Sequence, residues 1–300
     1  MSSVSPSANR EAGRLIDWDD ALDNIGHVSG ADRLPERWAE AARRFREQPG
    51  DDVTVEPDRV YGPGPRHRLD MFRCGQRPNG LVVFVHGGYW IRLGKDFVSH
   101  FAAGALAAGF DVAIPGYTLA PDARISGITS EVGMAIAAAA RESEGPVTLV
   151  GHSAGGHLVT RMICDDSPLP GFVRERLARV VSVSGIYDLR PLILTGMNAA
   201  LNLDAAEARS ESPVFRSPAA DLAPVSLALW VGSRERPEFL RQTQLMVEAW
   251  QALRPLDLRH MGDRDHFSVI EDLAIPETPL TRAVTGTAEW QNPDPGAGQN

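Results

Sequence analysis

Residues 146–163 read PVTLVGHSAGGHLVTRMI, and the reading of this stretch decides how the rest of the chain is understood. PVTLV (146–150) is short and rich in β-branched residues, the pattern of a buried strand. Small residues follow, then Leu158, Val159, Met162 and Ile163 at helical spacing. Between the two runs stands Gly-His-Ser-Ala-Gly, from Gly151 to Gly155. A strand that turns sharply into a helix through glycines presents the central serine hydroxyl at the strand's carboxyl end. Gly-rich turns of this kind also serve purely structural ends. Ser153 therefore reads as a nucleophile only if the chain also supplies a base, an acid and donors for an oxyanion.

Outward from this stretch the chain alternates. LVVFV (81–85), DVAIP (111–115), RVVSVS (179–184), SLALWVG (226–232) and PLDLRHM (255–261) read as strands. Helices are expected at 96–108, about 128–142, 154–165 and 238–253, and from around 266. Apolar strands separated by helices imply an α/β fold, a mostly parallel sheet covered on both faces. LPERWAEAARRFREQ (34–48) reads as an N-terminal helix, and 52–58 with 67–73 as a hairpin joined by YGPGP. Segment 186–224, with Pro191, Pro213 and Pro218, breaks the rhythm and reads as a small cap-like insertion above the sheet. The whole is one domain, 14–290, with flexible polar ends at 1–13 and 291–300.

Bulk properties narrow the class. Thirty basic residues against 39 acidic ones give a net charge of −9, with no basic footprint for nucleic acid or an anionic membrane. Cys74 and Cys164 make neither a disulfide framework nor a metal site. The N-terminus lacks the basic-then-apolar pattern of a signal peptide, and no run of 18 apolar residues occurs. The expected setting is the cytoplasm, and a homodimer is a possible assembly, as it is a common outcome for soluble proteins.

Ligands of open parallel sheets bind beyond the carboxyl ends of the strands. Ser153, His86, Glu235 and His266 each follow a different strand at that rim. A serine hydroxyl needs a base, and histidine suits because it titrates near neutrality. His266, after the last strand, is the best placed; His152 and His157 beside the serine are better explained by packing. The acid that orients the imidazole comes from VGSRERPEF, where Glu235 and Glu238 compete. Glu235 is nearer the strand end and is preferred, since Glu238 would sit in a first helical turn, where a carboxylate is favoured anyway. HGGYW (86–90) supplies Gly87 and Gly88, whose amides, with that of Ala154, form a plausible oxyanion hole.

HGGYW, GYTLAPDA (116–123), GHSAGGHL, SGIYDLRPL (184–192), VGSRERPEFLRQ and DHF together resemble the kynurenine formamidase (arylformamidase) group of α/β-hydrolases. That group is related to the hormone-sensitive-lipase-like esterases, and the resemblance spans roughly residues 20–275. HGG and GHSAGG specify the superfamily. The narrower signals are Tyr89–Trp90, SGIYDLRPL with TGMNAALNL (195–203), and PEFLRQ. The resemblance implies an α/β-hydrolase fold and a triad of Ser153, Glu235 and His266. It also implies oxyanion amides at Gly87, Gly88 and Ala154, and deformylation of N-formylkynurenine in tryptophan breakdown. No cofactor or metal is implied. Tyr89, Trp90 and Tyr187 are candidates to touch an aryl leaving group, with loop 89–95 and segment 186–224 walling the pocket. The alternatives are a carboxylesterase or a hydrolase of another small amide with the same triad, and a non-catalytic binding protein on the same fold.

Overall fold

Alternate residues of the central strands feed two different cores. Val83, Leu149, Val180 and Leu229 face one side of the sheet, with Ile128, Leu158 and Phe239 packed over them. Val82, Phe84, Val150, Val181 and Trp230 face the other, beneath Trp38, Phe101 and Leu280. Side chains alternate across a strand, so fully apolar runs need cover on both faces, and helices provide it. The computed structural model describes residues 10–11, 14–222 and 224–287. The ends expected to be flexible lie outside these residues, except Arg10–Glu11, which pairs with Arg14–Leu15.

The strands are β1 (Thr54–Val60), β2 (Arg68–Arg73), β3 (Leu81–Val85), β4 (Asp111–Pro115), β5 (Val147–His152), β6 (Leu177–Val183), β7 (Ser226–Gly232) and β8 (Leu256–Met261). They form one sheet in the order β8-β7-β6-β5-β3-β4-β2-β1. From β4 to β8 the neighbours are parallel, while β2 runs antiparallel to both β1 and β4. Leaving β3, the chain first adds β4 on one side and then returns to add β5 on the other. Their connections therefore part in opposite directions above β3 and β5, and a crevice opens at the carboxyl ends.

The helices that matter to the site are α1 (Trp18–Leu22), α2 (Leu34–Glu47), α3 (Ile125–Arg141), α4 (Ala154–Arg161) and α5 (Pro237–Trp250). The single helix expected at 96–108 is instead two 3-10 turns, Lys95–Phe97 and Ser99–Ala102, and a short α-helix, Ala103–Ala107. Its start is held by side chains. The Lys95 ammonium lies 2.8, 2.9 and 3.1 Å from Asp58, Asp70 and Asp96, and Arg46 donates to Asp96 O and Ser99 Oγ.

The insertion 186–224 forms short helical turns that lie on α3 and α4. Glu207 accepts from Arg124 and Ser126, Glu211 from Thr129 and Arg161, and His157 donates Nε2–H to Glu211 O. Drawn to that flank, the insertion sends only Met197 to the crevice among the described residues. The expectation that it roofs the site is corrected in this respect. The largest share of the lining comes from the N-terminal segment 19–38, which the sequence reading left without a role. No helix among the described residues is long and apolar enough to cross a membrane.

Candidate active site

Ser153 is held in a backbone conformation that side-chain-bearing residues rarely adopt, with φ 56° and ψ −119°. Such strain costs of the order of 1–3 kcal/mol and persists only where the surroundings enforce it. Here they do. Ser153 N–H donates to Val183 O at 2.8 Å, and Ser153 O accepts the amide of His157 at 3.1 Å as α4 begins. The turn also needs the absence of a side chain at Gly155, where a Cβ would lie 2.0 Å from Val85 O. The -Ser-Ala-Gly- spacing thus lets α4 start directly against β3.

His266 Nδ1 lies 2.7 Å from Glu235 Oε2, with both residues buried. A carboxylate there calls for the proton on Nδ1, which leaves the Nε2 lone pair free. The other Glu235 oxygen, Oε1, accepts from Gly232 N–H at 2.7 Å and from the Ser184 hydroxyl. Every Glu235 oxygen therefore has a fixed donor, and the carboxylate cannot swing. Glu238 is committed elsewhere: Arg241 grips both of its oxygens at 2.7 Å, and Gln242 donates to Oε1. Ser184, which sequence reasoning missed, follows β6 in a positive-φ turn (53°), the same kind of strand-end signal as Ser153.

The HGG loop lies against Ser153, since a Cβ on Gly87 would come within 3.0 Å of Ser153 Cβ. His86 is fully buried, which pushes its pKa down to about 4 and keeps it neutral. Its Nδ1–H donates to Gly87 O at 2.7 Å, and Tyr117 stacks on the ring at 4.2 Å. In a trans peptide the C=O and N–H point opposite ways. Drawing Gly87 O toward His86 therefore aims Gly88 N–H away from it. Gly88 has φ 108°, and its carbonyl accepts from Ile91 and Arg92 N–H. Ala154 is the first residue of α4, so its amide is one of those a helix leaves unpaired.

Ser153, His266 and the HGG glycines border one cavity of about 540 Å³, within the size range of small-molecule sites. Gly87, Gly88, Tyr89, Ser153 and His266 line its floor. Among the described residues Ser153 Oγ makes no direct hydrogen bond with His266 Nε2; such contacts commonly tighten only when substrate binds. Leu22, Ile25, Leu34 and Trp38, on an N-terminal strap, also line the cavity. This strap is tied down by the Tyr89 hydroxyl donating to Leu22 O, by Gly196 N–H on Asp19 at 2.8 Å, and by Arg236 on Asp20. The Asp20 carboxyl is held below its usual range by its hydrogen bond to His27, with Arg236 adding to the effect.

Two expected substrate contacts are not at the cavity. Trp90 is fully buried and meets His157 edge-on at 5.1 Å, because positive φ at Tyr89 and Trp90 turns the chain down into the core. Tyr187 is also buried, with its hydroxyl 2.7 Å from Ser182 Oγ. Tyr89 does line the cavity.

The sequence profile described as "Alpha/beta hydrolase family" matches residues 82–294. A kynurenine formamidase from Danio rerio is 29% identical over 235 residues, which is 75% of this chain and 79% of the relative. Among solved structures, a Silicibacter sp. TM1040 protein provisionally assigned as a thioesterase is 43% identical, with a TM-score of 0.83 over 90% of this chain and 99% of that one. Esterase B from Lactobacillus rhamnosis, at 16% identity and a TM-score of 0.62 over 90% of this chain and 97% of that one, shares the fold.

Proposed function

The chain belongs to the α/β-hydrolase family, and from that premise we propose that it is a serine hydrolase of aryl formamides, releasing kynurenine and formate from N-formyl-L-kynurenine. Hydrolysis of a small amide or ester is the reaction class its relatives share. The observation that carries the reading is the 2.7 Å contact of a fully anchored Glu235 with Nδ1 of His266, which lines the same cavity as Ser153 on its strained turn.

In this mechanism His266 Nε2 takes the Ser153 proton as Oγ attacks the formyl carbon. The carbonyl oxygen becomes an oxyanion and is met by backbone amides of the Gly87–Gly88 loop and Ala154, each donor contributing roughly 3 kcal/mol. The C–N bond breaks as protonated His266 gives its proton to the departing arylamine. Water, activated by the same imidazole, then attacks the formyl ester and releases formate and free Ser153. The Glu235 carboxylate orients the imidazole and stabilises the imidazolium that forms.

A second reading, ester or thioester hydrolysis with the same groups, is favoured by the 43% identity to the Silicibacter protein. The test compares kcat/KM for N-formyl-L-kynurenine and p-nitrophenyl acetate in wild type and Ser153→Ala. Efficient deformylation that far exceeds ester turnover and disappears in Ser153→Ala is expected. Strong ester cleavage with negligible deformylation would replace the substrate and keep the chemistry. Deformylation that survives in Ser153→Ala would remove the mechanism.

A further inference from the structure

We infer that His152, the residue before the proposed nucleophile, is a positioning residue that holds the main chain of His266 and so sets where its imidazole meets Ser153. The inference rests on the assignment of Ser153 and His266 above and adds a residue that sequence reasoning attributed to packing.

His152 Nε2 lies 2.7 Å from His266 O. A carbonyl only accepts, so Nε2 carries the proton and donates. The ring is buried, 4.7 Å from the His266 ring, with Trp38 edge-on to it at 6.4 Å.

The topology explains why such a link matters. Ser153 follows β5 in the middle of the sheet, whereas His266 follows β8 at its edge, and β6 and β7 stand between them. No ladder bond can join the ends of β5 and β8. Neighbour ties run stepwise: Ser153 N–H to Val183 O, Ser184 N–H to Trp230 O, and Arg234 N–H to Arg264 O. The His152–His266 bond is the one hydrogen bond among the described residues that joins the Ser153 turn to the His266 loop directly. Glu235 fixes the imidazole at Nδ1, and His152 fixes the backbone from which it hangs. Two anchors at opposite ends remove the drift that one would allow.

The charge state suits this role. Burial, reinforced by the nearby His266, holds the His152 pKa well below its ordinary value. His152 therefore stays neutral, and the positive charge formed during turnover belongs to His266 alone.

The test uses the full-length enzyme with His152→Gln, whose amide N–H can replace Nε2–H, and His152→Met, which matches its length and has no donor. Misplacing a catalytic group by about 1 Å can cost on the order of 10²-fold. His152→Met is therefore expected to lose roughly 10- to 100-fold in kcat with KM within about threefold, while His152→Gln recovers most of the loss. The acid limb of the kcat/KM profile should keep its midpoint in both, because a neutral residue has been exchanged for a neutral one. Labelling of Ser153 by a fluorophosphonate should slow in parallel with kcat. Should His152→Met not fold, His152→Phe takes its place. A folded donor-less variant within twofold of wild type overturns the inference, as does His152→Gln no better than His152→Met, or an acid limb displaced by a full pH unit. Ser153→Ala and His266→Ala separate the two levels. Their inactivity beside unaffected His152 variants would sink only this inference, and their retained activity would sink the reading beneath it.

Discussion

Replacing Glu235 by glutamine should nearly abolish turnover, and the geometry says why so small a change does so much. Oε1 faces two donors, Gly232 N–H and the Ser184 hydroxyl, and Oε2 faces His266 Nδ1. A glutamine can keep its oxygen on the Gly232 side only by turning its NH2 toward Nδ1. The imidazole must then present a lone pair at Nδ1 and carry its proton on Nε2, the wrong tautomer to accept the serine proton. The flipped amide would set NH2 against Gly232 N–H. Ser184 can rotate to accept, but a backbone amide cannot, and orphaning it costs about 1–3 kcal/mol. The working orientation is therefore disfavoured roughly 5- to 150-fold, and the negative charge that would steady the imidazolium is lost as well. Together these put the fall in kcat near 10³- to 10⁴-fold, about 4–5.5 kcal/mol of transition-state stabilisation. Steady-state kinetics on N-formyl-L-kynurenine and p-nitrophenyl acetate, with circular dichroism to show the fold intact, measure it. Glu238→Gln is the control. Its partners, Arg241 and Gln242, both lie on α5, and Gln242 leads on to the backbone of Tyr187 and Asp188 rather than to Ser153 or His266, so kcat should stay within about threefold. A Glu235→Gln enzyme above a tenth of wild-type kcat, or an equal loss in Glu238→Gln, would refute the reasoning.

Tyr89→Phe removes the donor that ties the strap to the cavity floor, and one such bond is worth about 1 kcal/mol. KM should rise several-fold with kcat nearly unchanged, as Michaelis curves would reveal. Acid should destabilise the protein well before carboxylates protonate. Burial holds His86 at about 4, His157 at about 3 and His152 well below its ordinary value. All three folded values lie below the unfolded one, so the unfolded chain binds protons first, and stability is full above about pH 6.5 and falls as pH drops below it. Each histidine contributes a slope of about 1.4 kcal/mol per pH unit, near 4 for the three, and urea midpoints at pH 7, 6 and 5 that stay level would count against buried neutral rings.

The parts legible in the sequence are those whose signal is local. β7 coincides with SLALWVG, and the strand–turn–helix around Ser153 is legible because the glycine positions and the change of period both lie within eighteen residues. The choice between Glu235 and Glu238 is already less local: both follow the same strand, and what separates them in space is that Gly232 and Ser184, at the ends of two strands, converge on one carboxylate. His152 shows the limit. Along the chain it is merely the neighbour of Ser153, and nothing within the motif says that its ring reaches a carbonyl 114 residues away. Trp90 and Tyr187 fail for the converse reason. Aromatic rings beside catalytic motifs invite a substrate role, yet each side chain's direction depends on a local backbone sign or a buried hydroxyl partner that composition does not encode. The strap is the largest omission. Residues 19–33 carry no motif and 34–38 only open an amphipathic helix, and their place over the cavity follows from scattered contacts with Tyr89, Gly196 and Arg236. Motifs built on one strand end can announce the chemistry proposed here. The shape of the cavity, and hence the substrate it admits, is set by residues that meet only after folding.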